Sequence, residues 1–192
     1  MSKKPLYQLP EPLQDKFIVM IGLMGAGKSN LGRRLATAMG MPFIDTDNEI
    51  ETAAGCTIDE IFEQFGEREF RAGERRVIAR VLRGEPAVVA TGGGAFMDKE
   101  TRKRVKKKAI SIWLRADVEL LHRRTSWRDH RPLLKKGDPK KILQDLIDAR
   151  YPIYAEADIA FDVSDEPAPD SAKRVLAKLI EHCESLIEAE DT

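Results

Sequence analysis

The chain of 192 residues predicts an α/β protein in which five parallel strands form one sheet with helices on both faces. Three observations lead there. Short apolar runs alternate with stretches of helical periodicity along most of the length. The first run, Phe17-Ile18-Val19-Met20-Ile21, is apolar throughout, as in strands covered on both sides. Between that run and the first helical stretch lies Gly22-Leu23-Met24-Gly25-Ala26-Gly27-Lys28-Ser29, whose spacing is G-x-x-x-x-G-K-S.

The elements follow in order. Residues 1–15 hold Pro5, Pro10 and Pro12 with little periodicity and read as a loose N-terminal arm; residues 16–192 read as a single domain. Strand one is 17–21. A helix over about 28–39 turns Leu31, Leu35, Ala36 and Met39 to one side, ends at Gly40 and is stopped by Pro42. Strand two is Phe43-Ile44-Asp45, after which Thr46 and Asp47 open a helix that Gly55 closes. Thr57 and Glu60 have the spacing of a capping box for a helix that stops at Gly66, and a charged helix over 67–83 carries the apolar stripe Phe70, Val77, Ile78, Val81 and Leu82. Strand three, 87–91, runs into Gly92-Gly93-Gly94. A basic helix over 99–107, strand four at 109–114 and a helix ending near Arg124 precede a polar loop, 125–138. Pro139 stands in the favoured first turn of a helix to about Tyr154. Strand five at 159–163 leads to a last helix over 170–189, with Val175, Leu176, Leu179, Ile180, Cys183, Leu186 and Ile187 inward.

Bulk composition narrows the function. Lys+Arg and Asp+Glu are both 32, so the formal charge is zero and no basic field invites nucleic acid or an anionic membrane. The runs Arg102-Lys103-Arg104 and Lys106-Lys107-Lys108 read as a solvated helix face. Cys56 and Cys183 have no metal or redox spacing, residues 1–16 lack a signal-peptide core, and no apolar run spans a bilayer; the expectation is a cytoplasmic protein. A monomer is expected.

In parallel sheets ligands sit beyond the carboxyl ends of the strands, and three signals fall there. The glycine-rich loop points backbone amides into one anion-sized concavity at a helix N-terminus, where Lys28 reaches terminal phosphates and the Ser29 hydroxyl reaches Mg²⁺. Asp45 and Asp47, two apart at a strand end, face one cleft, where one carboxylate can serve a metal and the other an acceptor hydroxyl; Asp47 can also be read as a plain helix N-cap. The glycine triplet offers bare amides to a small polar ligand, or is simply a loop with unusual φ. Arg71 and Arg150 can pair with a carboxylate or form surface ion pairs. The loop Arg124-Thr125-Ser126-Trp127-Arg128-Asp129-His130-Arg131-Pro132 reads as a flap that brings an arginine over phosphates, or as an ordinary polar loop.

Taken together, G-L-M-G-A-G-K-S, D-T-D, G-E-R-E-F-R, T-G-G-G-A, R-P-L-L and A-R-Y-P-I-Y, in this order, resemble the shikimate kinase family over about residues 16–163. The resemblance implies a three-layer α/β/α P-loop kinase fold with strand order 2-3-1-4-5, a lid at about 125–138 and a helical substrate-binding region at about 46–83. It implies transfer of the ATP γ-phosphate to the 3-hydroxyl of shikimate, with Mg²⁺, on the route to chorismate and the aromatic amino acids. Lys28, Asp47 and Arg131 are the catalytic residues it implies. By the same resemblance Gly25, Ala26, Gly27, Lys28, Ser29, Asn30, Arg124 and Arg131 would bind ATP, with Arg124 near the adenine. Asp47, Arg71, Gly92, Gly93, Gly94 and Arg150 would bind shikimate, and Ser29 and Asp45 would lie on the metal side. Asn30 stands where the family usually has Thr. The competing readings are a kinase of another polyol acid such as gluconate, a nucleotide-dependent switch, against which the lack of an N-K-x-D motif counts, and a scaffold without activity.

Overall fold

The computed structural model describes residues 5–126 and 137–190. Five parallel strands are ordered β2-β3-β1-β4-β5. They are β1 (Phe17–Ile21), β2 (Phe43–Asp45), β3 (Val88–Ala90), β4 (Ala109–Arg115) and β5 (Ile159–Asp162). Seven α-helices lie among the described residues: α1 (Lys28–Met39), α2 (Thr46–Ala54), α3 (Ile58–Val81), α4 (Lys99–Lys108), α5 (Val118–Thr125), α6 (Pro139–Tyr154) and α7 (Ala168–Glu190). Most of the lid stretch expected at 125–138, Arg131 included, lies outside the described residues.

The central strand explains the architecture. Every residue of β1 is buried, because β3 and β4 flank it and helices cover both faces. Its register pairs Val19 with Val89 on one side and with Ser111 on the other. The carboxyl ends of β1, β3 and β2 therefore lie side by side, and the turns that leave them share one rim. This adjacency, absent from the linear order of the chain, makes the site.

Local chemistry sets the element ends. Gly40 closes α1 in the left-handed conformation at φ 66°. Thr57 and Glu60 form the expected capping box, with Glu60 N–H donating to Thr57 Oγ1 at 3.2 Å and Thr57 N–H to Glu60 Oε2 at 2.7 Å. The expected helix end at Gly66 is a break inside α3, where Gly66 takes the non-helical angles φ 77°, ψ 172°. Leu186, expected inward on α7, is exposed, because the helix runs on past the part that Val175, Leu179 and Cys183 pack into the core.

The described part of the N-terminal arm is docked rather than loose. Leu6 N–H donates to the Ala38 carbonyl at 2.7 Å, Leu9 and Leu13 are buried, and residues 11–13 form a 3₁₀ turn. Its prolines and weak periodicity hid two apolar anchors that need only one burial site each. Leu13→Ala is accordingly expected to lower unfolding stability by about 2–4 kcal/mol in a denaturant titration, the range for a buried leucine cut to alanine.

Candidate active site

The glycine-rich loop leaves β1 and wraps the start of α1. Gly25 (φ 85°) and Gly27 (φ 98°) take backbone angles that side chains disfavour, while Leu23 and Ala26 pin the loop into the core. Lys28 Nζ donates to the carbonyls of Gly22 at 2.9 Å and Leu23 at 3.0 Å, which lays its stem across the concavity. Asn30 follows Ser29 on α1, and its Oδ1 accepts from Arg34 Nε at 3.0 Å along the exposed helix surface. Arg124, on α5, donates to the Ser164 carbonyl at 3.1 Å and lies beside Gly27, between the loop and the β5–α7 turn.

The two readings of Asp47 are separated by its neighbour. Asp45 is the cap of α2: its Oδ1 accepts Asp47 N–H at 3.1 Å, and its Oδ2 accepts the Ser29 hydroxyl at 2.7 Å. Ser29 and Asp45 thus place two hard oxygen donors together at the mouth of the loop. Asp47, relieved of capping duty, turns into the cleft. Its Oδ1 is buried with no hydrogen-bond partner among the described residues. Burial, and then the charge of Asp45, push its carboxyl above the ordinary aspartate range.

Across from it lies a residue that the motif reading passed over. Glu74 is 2% exposed, and its Oε2 accepts from Arg71 Nη1 at 2.9 Å. Its Oε1 is buried and unpartnered among the described residues. Burial raises its pKa, and Arg71 opposes the rise. For Arg71, burial favours loss of the proton, but Glu74 and Glu67 outweigh it and hold the guanidinium firmly charged. The signal for Glu74 was present in the spacing: positions 70, 74, 77, 78 and 81 form one stripe, and the only carboxylate on an otherwise apolar stripe is a buried one.

The glycine triplet closes the site, less openly than its composition implies. Gly92 N–H is not bare, since it donates to the buried Thr46 hydroxyl at 3.3 Å. A Cβ on Gly92 would stand 2.7 Å from Glu74 Oε1 and 2.9 Å from Asp47 Oδ1, so both unpartnered oxygens converge at this glycine. A Cβ on Gly94 would stand 2.6 Å from Arg71 Cζ: the guanidinium rests directly on the backbone there. Gly93 sits near Gly22 and Met24 of the phosphate loop, and its carbonyl accepts from Arg150 Nη1 at 2.9 Å and from the Tyr154 hydroxyl. Arg71 and Arg150, 79 positions apart in the chain, thereby flank the same triplet.

A phosphate loop on the central strand of a 2-3-1-4-5 sheet, facing buried carboxylates and guanidinium groups rather than an aromatic platform, defines a P-loop kinase of small molecules. The shikimate kinase family model matches residues 24–183. A shikimate kinase from Paramagnetospirillum magneticum is 58% identical over 163 residues, covering 85% of this chain and 84% of that one. Another, from Caulobacter vibrioides, is 55% identical over 168 residues, 88% of this chain and 84% of its own length. The solved structure of shikimate kinase from Acinetobacter baumannii in complex with shikimate superposes with a TM-score of 0.84 at 36% identity, over 90% of this chain and 98% of that one. The chain belongs to the shikimate kinase family.

Two outcomes follow from the geometry. Gly94→Ala is expected to displace Arg71 and raise the KM for the acidic substrate about tenfold or more, the cost of losing one charge-assisted bond, in steady-state kinetics. Asp47 is raised in the folded state, so folding binds a proton that the unfolded chain has lost between the ordinary aspartate value and the raised one. Stability therefore falls as pH rises through that window. Asp47→Asn should melt at a higher temperature than the parent at pH 7, and the gap should close below the ordinary aspartate pKa, as thermal denaturation at both pH values will register.

Proposed function

We propose that this chain transfers the γ-phosphoryl group of ATP to the 3-hydroxyl of shikimate, giving shikimate 3-phosphate and ADP. The carrying observation is the pair of unpartnered carboxylate oxygens, Asp47 Oδ1 and Glu74 Oε1, that meet beside Gly92 with guanidinium groups on either side. Buried acceptors of this kind call for hydroxyl donors, and the two arginines call for a carboxylate. A small acid bearing several hydroxyls satisfies both sets at once.

In this reading the loop amides of Gly25, Ala26 and Gly27 and the Lys28 ammonium hold the β- and γ-phosphates. Arg124 lies on the nucleotide side, and a phosphate contact is the role the family resemblance gives to Arg131, which lies outside the described residues. Arg71 and Arg150 fix the shikimate carboxylate, while Asp47 and Glu74 accept its hydroxyls. These contacts turn a two-body encounter into an aligned one, which supplies a large share of the acceleration in phosphoryl transfer. The 3-hydroxyl oxygen forms a bond to the γ-phosphorus, the bond from that phosphorus to the β,γ-bridging oxygen breaks, and the hydroxyl proton passes to Asp47. Its raised pKa, caused first by burial and then by the charge of Asp45, makes the Asp47 carboxylate a better base than an ordinary aspartate.

Ser29 and Asp45 fit Mg²⁺: their oxygens are 2.7 Å apart, both are hard donors, and the ion commonly takes one or two protein oxygens besides phosphates and water. Among the described residues no group of three His, Cys, Asp or Glu side chains could hold a metal by itself, in keeping with a site completed by the nucleotide. Bound there, Mg²⁺ would supply charge neutralisation at the phosphates. No helix among the described residues is long and apolar enough to cross a membrane. A monomeric enzyme of the cytoplasm fits this reading.

A coupled assay of ADP release tests it. Release should require shikimate together with Mg²⁺ and ATP; turnover with gluconate and none with shikimate would overturn the assignment. Asp47→Asn is expected to lower kcat by about 100-fold or more, and to remove an acidic limb that the parent shows above the ordinary carboxylate range. Arg71→Ala and Arg150→Ala should raise the shikimate KM about tenfold or more each, with the KM for ATP little changed.

A further inference from the structure

The Arg71 guanidinium has three attachments, and they differ in kind. Its Nη1 is tied to Glu74, whose side chain is 3% exposed, at 2.9 Å. Its plane rests against Gly94. Its remaining edge, Nε and Nη2, points to a single oxygen of Glu67, at 3.4 Å and 3.3 Å. Glu67 is 64% exposed at the side chain, and it is the first residue after the Gly66 break in α3. The first two contacts are short or enforced by packing; the third is long, shared and wet.

The Nε–Nη2 edge is the one an arginine presents side-on to a carboxylate, with one oxygen on each N–H. Glu67 takes both N–H groups on one oxygen, leaving the second oxygen unused by the fork. Exposed pairs of this kind contribute little. A carboxylate arriving on a small rigid acid can use both oxygens on the same edge, and it is held elsewhere by its hydroxyls. The better ligand displaces the weaker one.

We propose that Glu67 is an internal competitor for the substrate's carboxylate: it occupies the free edge of Arg71 until the acid arrives, and so sets the affinity for that acid. The inference rests on the reading above, that Arg71 grips the substrate carboxylate. Glu74 is the permanent anchor of the arginine and Glu67 the exchangeable one. Two carboxylates on one helix, at three and four residues from the same arginine, thus have opposite effects on binding. The second anchor also keeps the guanidinium extended over Gly94, so it is exchanged for substrate without a search of rotamers.

Steady-state kinetics of Glu67→Gln provide the test. The amide keeps the length and helix propensity of the side chain but gives up the charge, and the exposed site leaves folding intact, which a thermal melt verifies. The shikimate KM is expected to fall about two- to fivefold, the fold-change equivalent to an exposed ion pair, with kcat and the KM for ATP unchanged. In an Arg71→Ala background the same change should leave the KM unaltered. An unchanged or higher KM in the single variant overturns the proposal, because Glu67 then plays no part or helps to orient the arginine. An equal fall in both backgrounds also overturns it, since that is a general field effect on an anionic substrate. Arg71→Ala by itself separates the two levels: if it leaves the shikimate KM unchanged, the reading of the carboxylate site has failed, whatever Glu67 does.

Discussion

The ion pair between Arg71 and Glu74 is the contact on which the acid side of the site depends. Taking a carboxylate out of water costs several kcal/mol unless a partner and hydrogen bonds compensate, and only one of the Glu74 oxygens is compensated here. The arrangement is poor for stability and good for binding. Glu74 holds the arginine charged and fixed, and its second oxygen, together with Asp47 Oδ1, stays ready for a hydroxyl. The fold tolerates this cost because α3 is otherwise anchored by Phe70, Val77, Ile78 and Val81 on the same stripe.

The triplet at the end of β3 joins this pocket to the phosphate loop. Gly92 lies against the two carboxylates, Gly94 supports Arg71, and Gly93 approaches Gly22 and Met24. From the opposite side, Arg150 and Tyr154 both grip the Gly93 carbonyl. Tyr154 is fully buried, and its ring is packed edge-on against Trp113 of β4 at 6.2 Å. Donor and acceptor sites are therefore held by one short stretch of backbone, with helices α3 and α6 clamped on either side of it.

Much of this could be read from local patterns. The phosphate loop, the capping box at Thr57, the glycine that ends α1 and the five strands are set by neighbours within a few residues, and each appears where the pattern placed it. The glycine at 66 was read as a helix end, and its non-helical angles do divide α3 there into two helical segments that meet at a kink. The duty of the D-T-D aspartates was ambiguous because both residues satisfy the rules for a cap; the hydrogen bonds of Asp45 to Asp47 N–H and to Ser29 decide it. Glu74 was overlooked for a different reason. Attention to arginines as anion partners left out the carboxylate that positions one of them, although its place on the apolar stripe marked it as buried.

The sequence by itself determined the class of chemistry, because a nest of amides followed by Lys28 and Ser29 is built within eight consecutive residues whose conformations are governed by glycine and by the helix that follows. It also determined the strands, through apolar runs of the right length. Only the tertiary structure decided which charged groups share a pocket. Asp47, the Arg71–Glu74 pair, Gly92 and Arg150 come from four separate stretches, and their distances depend on β3 lying between β1 and β2 and on α6 returning over the rim. Electrostatic roles are properties of burial and distance, and neither quantity exists until the chain has closed upon itself.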